Sequence, residues 1–390
     1  MRKIIAISFT LLFVFFSSNL FSQESPFNEI GFDAALQKSK ADNKPILLFL
    51  YATWCSHCNK MKKEVFTEAS VIDFLNKNFV CVSMDAEKGE GVSLKDKYNI
   101  RAFPGFVFLN VKAEQLYGFS GEYKPENFIS EAKTALISER QLPYLEKEFN
   151  ADFKNADKCY AYITTLKKTG ADVSEPAKKY LQTQTEPQLV SMINWRIIAN
   201  GISEIDSREF QYVLKHQKEF AGVSSPVRVE KKIINIVQEL LRPYVEKPDT
   251  IGYVKKRPLA KSIQMFKTDS LVFTYDLMIG EYAKNWNFYK KSAIESVDKY
   301  YGNNPEKLKE VALNFQKNVT DPASLKFALQ WTTKSVEIKP SADGYLLAAK
   351  LSQKITDPKK ARDYAEQSKK FSESLGFSTK DADDFLKELK

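Results

Sequence analysis

Residues 46–58, ILLFLYATWCSHC, join a continuous apolar run to a closely spaced pair of cysteines. The run follows Pro45 and is typical of a strand that is buried on both faces of a sheet. The residues after the run, from Cys55 to Val65, have helical spacing. The stretch therefore predicts a buried strand that leads into a helix, with Cys55 at the beginning of that helix.

Short apolar runs and helical patterns alternate on both sides of this stretch, from residue 26 to residue 140. They predict helices over 32–43, 55–65, 67–79 and 93–98 and from Pro125, and strands over 46–51, 80–84, 105–109 and 115–119. Strands separated by helices pair in parallel, whereas the last two, joined by a turn, form a hairpin. We therefore expect an α/β fold with a mixed sheet flanked by helices, and a domain over 23–140.

From about residue 141 the strand-like runs stop, and helical periodicity continues to the C-terminus. The last part contains a weak repeat with an offset of 33 residues, in which Ala328 corresponds to Ala361. This offset is close to the ~34 residues of a tetratricopeptide repeat. We expect an all-α helical-repeat region, with divergent helices over 141–300 and tetratricopeptide-like hairpins over 301–390.

Residues 1–22 have the pattern of a secretory signal peptide. Two basic residues precede an apolar run over 4–16, which is short for a membrane-spanning helix, and small and polar residues follow. We expect cleavage after Ser22 and a periplasmic or other extracytoplasmic location; an uncleaved anchor is the alternative. No later segment is apolar enough to span a bilayer, so we expect no stable membrane insertion after cleavage.

The 390 residues carry a formal net charge of +9, with 43% hydrophobic and 27% charged residues. The length favours two or three domains, and the composition is that of a folded protein. Lysine and glutamate are interspersed along the chain and form no basic cluster. This pattern indicates a solvated surface and no nucleic-acid partner.

Cys55 and Cys58 are separated by two residues, a spacing typical of redox pairs and of metal sites. At a helix start, free backbone N–H groups and a partial positive charge favour a thiolate at Cys55. A thiolate is the nucleophile of disulfide exchange, and Cys58 could then resolve the mixed disulfide. The other cysteines, Cys81 and Cys159, lie in apolar patterns and are expected to be buried, inert thiols.

Two neighbours of the pair add to the candidate site. His57 could stabilise the Cys55 thiolate, which would make the pair more oxidising and favour an isomerase or oxidase; an exposed imidazole with a minor effect is the alternative. Trp54 is expected to shield one side of the pair and to contact substrate. His216 has no neighbour at metal-ligand spacing and is assigned no role.

Pro104 stands directly before the predicted strand over 105–109. A proline at this position can hold a cis peptide bond that faces the cysteine pair and exposes the backbone of Phe103. An extended substrate could then pair with that backbone as an added strand. The alternative is a trans-proline that merely begins an edge strand.

Residues 51–61, YATWCSHCNKM, resemble the active-site segment of the thioredoxin superfamily, in particular the thioredoxin-like domains of exported thiol–disulfide interchange proteins. Residues 98–104, YNIRAFP, resemble the approach to the cis-proline of this family, and Gly118 and Gly121 match its late glycine-containing strand and turn. The resemblance covers about residues 30–137.

The resemblance implies a thioredoxin fold with three assigned roles: Cys55 as attacking cysteine, Cys58 as resolving cysteine and Pro104 as cis-proline. The chain departs from the family pattern at three further positions. Phe49 stands where many members have a buried acid, so the resemblance does not extend to fast dithiol reduction. Gly105 replaces a common Thr and Phe103 replaces a small or β-branched residue, so it does not extend to peptide selectivity.

The sequence thus predicts an exported thiol–disulfide oxidoreductase of reductase or isomerase type, acting on protein thiols and disulfides without a cofactor. A helical-repeat binding module with a redox-sensitive thioredoxin-like domain is the alternative, and in either case a protein partner could bind the helical region. A carrier of Cu(I) or Zn, bound by Cys55, Cys58 and His57, is a third possibility, but this set lacks a fourth ligand and any Met cluster. We therefore expect no metal.

Overall fold

The computed structural model describes residues 25–28 and 30–389. The predicted signal peptide over residues 1–22 lies outside the described residues and stays a prediction. The chain divides into two compact units, the first ending at Thr183 and the second beginning at Gln184.

The first unit contains every strand and helix expected up to residue 140, with small shifts at their ends. The elements are α1 (Phe32–Asp42), β1 (Ile46–Tyr51), α2 (Ser56–Lys60), a π-helical turn (Met61–Val65), α3 (Ala69–Asn78), β2 (Val80–Asp85), α4 (Glu90–Lys97), β3 (Gly105–Leu109), β4 (Gln115–Ser120) and α5 (Pro125–Thr134). A 3₁₀ turn (Ser138–Arg140), α6 (Leu142–Ala151), α7 (Ala156–Lys168) and α8 (Ser174–Leu181) follow.

The four strands form one mixed sheet in the order β2-β1-β3-β4. β1 pairs in parallel with β2 and antiparallel with β3, so that Ile46 lies opposite both Val80 and Leu109. β3 and β4 form the predicted antiparallel hairpin. β1 is therefore a central strand, as its unbroken apolar run predicts, and the expected mixed sheet is confirmed.

Alternate residues of β1 enter two separate cores, one on each face of the sheet. Leu48 and Leu50 belong to the core that α1 and α4 cover. Leu47 and Phe49 belong to the other core, which also contains the closely spaced cysteine pair. In the second core the Phe49 ring stacks on that of Phe106 with centroids 5.4 Å apart. Aromatic pairs of this kind contribute about 0.5–1.5 kcal/mol to stability beyond the burial of their surface. We call this layer of packed rings next to the cysteines the aromatic floor.

The helices that follow the 3₁₀ turn pack on the edge strand β4. Lys168, at the end of α7, donates hydrogen bonds to the Tyr117 hydroxyl at 2.7 Å and to the Glu131 carboxylate at 2.9 and 3.0 Å. The Tyr117 hydroxyl also donates to Glu131 at 2.6 Å. The predicted domain boundary at residue 140 falls inside this compact unit, and the predicted division of the chain stays a prediction.

In the part of the second unit that the structure describes, all the regular elements are helices. They are α9 (Glu186–Leu189), α10 (Met192–Gly201), α11 (Arg208–Lys215), α12 (Gln217–Val223), α13 (Pro226–Glu246), α14 (Thr250–Lys261), α15 (Phe266–Tyr282), α16 (Trp286–Tyr301), α17 (Pro305–Asn318), α18 (Pro322–Ile338), α19 (Ala342–Lys354), α20 (Pro358–Ser374) and α21 (Lys380–Glu388). The expected all-α region is confirmed. None of the described helices combines the length and apolar character that crossing a bilayer requires.

The C-terminal helices begin where proline and a preceding polar residue predict. Pro322 and Pro358 occupy the first turns of α18 and α20, and the carboxylates of Asp321 and Asp357 accept backbone N–H groups there. Proline lacks an N–H that would be unpaired at this position, and the aspartates satisfy other free donors. Consecutive helices from α17 to α21 pack on one another. Their tetratricopeptide-like character stays a prediction.

Phe106→Ala should loosen the sheet of the first unit, because Phe106 is fully buried and contacts the rings of four other aromatic residues. We expect the free energy of opening of β1 and β3 to fall by about 3–5 kcal/mol. Amide hydrogen exchange, read by mass spectrometry on peptides from both strands, measures it. Phe377→Ala, at a side chain that is 66% exposed, is the control. Unchanged protection of β1 would contradict the prediction.

Candidate active site

Cys55 is the N-cap of α2, at the carboxyl end of the central strand. Its backbone N–H donates to the carbonyl of Ala52 at 3.1 Å, which fixes the turn after β1. Its sulfur accepts the backbone N–H of Cys58 at 3.2 Å. A donor aimed at this sulfur stabilises a negative charge there more than a neutral thiol, as expected for the attacking cysteine.

Cys58 is fully buried beneath Cys55, and both are free thiols in the structure. The pKa of Cys58 is raised to about 12: burial, the largest cause, and the hydrogen bond and charge of Cys55 raise it, whereas the Ala52 backbone and the charge of Lys62 lower it. Both cysteines belong to the aromatic core, with Cys55 5% and Cys58 0% exposed, but only Cys55 caps the helix start and accepts a backbone N–H there. The attacking and resolving roles that the resemblance implies stay a prediction.

The structure shows the surroundings of two positions that depart from the family pattern, Phe49 and Gly105. Phe49, fully buried, occupies the floor below Cys58 with no carboxylate in its place. A Cβ at Gly105 would lie 2.6 Å from the Ile100 Cγ2 atom, so Ile100 occupies the space of the side chain that a threonine would have. Ile100, in the loop before β3, therefore packs directly against the backbone of Gly105.

His57 is brought to a carboxylate that the sequence analysis did not single out. Its ring is two-thirds exposed, and its Nδ1 lies 2.6 Å from Oε2 of Glu122. Lys60 binds the other carboxylate oxygen, and these two contacts, that of Lys60 first, lower the pKa of Glu122. The hydrogen-bond partner of His57 is thus Glu122, and the direct action of His57 on Cys55 stays a prediction. In the sequence, the one feature that could have pointed to Glu122 is its position directly after Gly121, the glycine of the turn that follows β4.

Trp54 and Phe103 lie together beside the cysteine pair. Their rings meet edge to face with centroids 6.4 Å apart, and Trp54 is 70% exposed. The indole N–H of Trp54 donates to the carboxylate of Glu87 at 3.0 Å, a second partner that the sequence analysis missed. The structure therefore presents an exposed aromatic surface next to Cys55.

The Phe103–Pro104 peptide bond is cis, as the resemblance implies. The carbonyl of Pro104 accepts the N–H of Gly121 at 2.8 Å, which ties the loop to the end of β4. The backbone N–H and carbonyl of Phe103, by contrast, form no hydrogen bond with any described residue. These groups are free to pair with an extended chain.

The remaining candidate residues have ordinary structural surroundings. Burial raises the pKa of Cys81 strongly and that of Cys159 to about 12, as expected for inert thiols. His216 stacks on Tyr212 and lies 3.2 Å from the Glu219 carboxylate. Over residues 25–28 and 30–389, no group of three or more His, Cys, Asp or Glu side chains is arranged to hold a metal ion.

Comparison with known proteins places this site in a family. Residues 32–136 match the thioredoxin-like domain. Thioredoxin-1 of Drosophila melanogaster is 35% identical over 92 residues, which are 23% of this chain and 80% of that protein. The thiol:disulfide interchange protein TxlA of Synechococcus elongatus is 31% identical over 120 residues, 29% of this chain and 60% of that protein.

Among solved structures, a thioredoxin from Thermus thermophilus is 25% identical; the match covers 27% of this chain and 84% of that chain, with a TM-score of 0.26. The similarity to Thioredoxin-1 spans most of that relative. The family match over residues 32–136 includes β1, the cysteine pair and the cis-proline loop described above. Through its first unit the chain therefore belongs to the thioredoxin-like family of thiol–disulfide oxidoreductases.

Proposed function

We propose that the chain is an exported oxidoreductase of reductase or isomerase type that exchanges disulfides with protein substrates through Cys55 and Cys58. The observation that carries this proposal is the asymmetry of the pair. The Cys55 sulfur receives a backbone N–H at the helix start, whereas Cys58 is fully buried below it. One sulfur is thereby suited to attack a partner and the other to resolve the product.

The exchange proceeds in two thiol–disulfide steps. The Cys55 thiolate attacks one sulfur of a substrate disulfide and forms a mixed disulfide, while the other substrate sulfur leaves as a thiolate and takes up a proton. Cys58, after losing its proton, attacks the Cys55 sulfur and releases the second substrate thiolate. Two electrons pass from the pair to the substrate. The reverse sequence donates the disulfide of the pair to a reduced substrate.

The surroundings of the pair favour an extended polypeptide as the substrate. The unpaired backbone groups of Phe103 could form strand-like hydrogen bonds with a substrate chain, and the Pro104 peptide bond positions them. The exposed ring of Trp54 offers apolar contact beside the sulfur that is attacked. Trp54, Phe103 and Pro104 are therefore the proposed substrate-binding residues.

Export and the use of the helical region are further parts of the proposal. The signal-peptide pattern of residues 1–22 supports a periplasmic or other extracytoplasmic location, where disulfides persist. All four cysteines precede residue 184, so the helical second unit contributes no thiol. We assign to this unit the presentation or recruitment of a protein partner.

Cys58→Ser should trap substrate proteins on Cys55, because the mixed disulfide then has no resolving thiol. We expect covalent adducts that disappear on reduction, after the variant is expressed with its native leader and free thiols are blocked with acid and alkylating agent. Non-reducing electrophoresis and mass spectrometry detect them. Cys55→Ser is the matched control, with Cys81 and Cys159 replaced by Ala in both. Equal trapping by the control, or none by either, would argue against Cys55 as the nucleophile.

Limited alkylation should distinguish the four thiols. Near pH 8 we expect iodoacetamide to modify Cys55 well before Cys58, because Cys58 is fully buried and its pKa is raised to about 12. Its thiolate, the reactive form, is therefore scarce until the pH is much higher. Peptide mass spectrometry after timed quenching gives the order, and reaction in denaturant gives the intrinsic rates. Faster modification of Cys58 than of Cys55 in the folded protein would reverse the assigned roles.

His57→Ala should make the pair more reducing if the imidazole stabilises the Cys55 thiolate, which exists only in the reduced form. A tenfold change in this equilibrium corresponds to ~30 mV, and we expect a decrease of that order in a glutathione titration. Lys60→Ala is the matched control, since Lys60 also binds Glu122 but lies outside the cysteine loop. An unchanged or higher potential in His57→Ala would leave the helix start as the main activator of Cys55.

A further inference from the structure

Lys62 is a partly buried cation that lies against the Tyr51 ring at the end of β1. It lies four residues after Cys58, in the π-helical turn that follows α2. Its Nζ lies 3.1 Å from the centroid of the Tyr51 ring, at the end of β1, and 5.7 Å from that of Phe49. It forms no hydrogen bond or salt bridge with any residue that the structure describes. Its ammonium therefore lies against the aromatic rings at the end of β1 and forms no ion pair with a described carboxylate.

Burial lowers the pKa of the Lys62 ammonium, whereas the nearby charges of Cys58 and Asp85 raise it. Cys58 faces Ala52, the residue directly after Tyr51, and its ionisation is affected by Cys55, by the Ala52 backbone and by Lys62. Asp85 lies opposite Tyr51 in the parallel pairing of β1 and β2 and is held in an ion pair with Lys88 at 3.7 Å. Lys62 thus brings positive charge to the end of β1, where the Cys58 thiol lies.

The resolution step needs such a charge because Cys58 must ionise inside an aromatic core. A thiolate buried among apolar groups is strongly disfavoured unless a cation or hydrogen-bond donor compensates. The β1 side chain in this core where many family members have a buried acid, Phe49, is apolar, fully buried and stacked on Phe106. Lys62 supplies the compensation from the side.

We propose that Lys62 is a positioning residue for the resolution of mixed disulfides, with its ammonium stabilising the Cys58 thiolate. This inference rests on the proposed function and assigns a residue to its second step. Cys58 loses its proton to solvent, and the new thiolate forms a bond to the Cys55 sulfur. The bond from Cys55 to the substrate sulfur breaks, and the released substrate thiolate takes up a proton. Electrons and protons balance without any further reactant.

A purely structural role for Lys62 makes a different prediction. In that role the ammonium serves only as a cation–π contact with the Tyr51 ring, and its loss changes stability alone. The two roles are separated by measuring attack by Cys55 and resolution by Cys58 as distinct phases. Reaction of the reduced full-length protein with one equivalent of 5,5′-dithiobis(2-nitrobenzoate) does so, since each step releases one coloured thiolate.

The experiment compares Lys62→Met, Lys62→Arg and Lys63→Met in a background with Cys81 and Cys159 replaced by Ala. Stopped-flow traces are recorded between about pH 6 and 9, well below the pKa of Cys58, so the rate of the second phase follows its thiolate fraction. We expect Lys62→Met to slow that phase about tenfold at each pH, equivalent to a rise of one pH unit in its midpoint. The first phase should change less than about twofold, because Cys55 is activated by the helix start.

The other variants decide between charge and packing. Lys62→Arg keeps the charge and should retain the second-phase rate within about threefold. Lys63→Met removes a neighbouring exposed lysine and should leave both phases unchanged. An unchanged second phase in Lys62→Met, or a Lys62→Arg variant as slow as Lys62→Met, would overturn the inference. Absence of the first phase in the parent protein would instead overturn the proposed function itself. Urea unfolding of each variant shows whether a slow phase follows lost stability.

Discussion

The burial of β1 on both faces is the constraint on which the rest of the first unit depends. Its residues enter two cores in alternation, so the strand can neither slip by one residue nor move to an edge without exposing apolar side chains. The strand therefore ends at a fixed point, and the turn through Ala52 places Cys55 at the beginning of α2. The position of the cysteine pair is a result of where a hydrophobic strand ends.

The aromatic floor and the charged groups around it have different effects on the cysteine pair. Below the pair, Phe49 and its neighbouring rings exclude water and disfavour ionisation of Cys58. Around the pair, polar contacts come from loops and from the turn after α2, with Glu122 bound to His57 and Glu87 bound to Trp54. A dry interior surrounded by charged groups lets two chemically identical thiols behave differently.

Much of this arrangement could be predicted from local sequence, because it follows from short-range patterns. The apolar run, the cysteine spacing and the proline before β3 are each contained in a few residues, and each corresponds to the element expected. The partners of the side chains could not be predicted in this way. His57 and Glu122 are 65 residues apart, and only the sheet order brings α2 and the segment after β4 together. Likewise, helical spacing in α7 reveals a buried face but not the strand β4 that covers it.

The contact of Lys168 with Tyr117 and Glu131 bears on how the catalytic part of the chain can be isolated. These three side chains join α7, β4 and α5 through hydrogen bonds of 2.6–3.0 Å. A fragment cut near residue 140, just beyond the family match over residues 32–136, would remove the ammonium from this cluster and expose the flank of an edge strand. An expression fragment for the redox unit should therefore extend to about residue 183, where the compact unit ends.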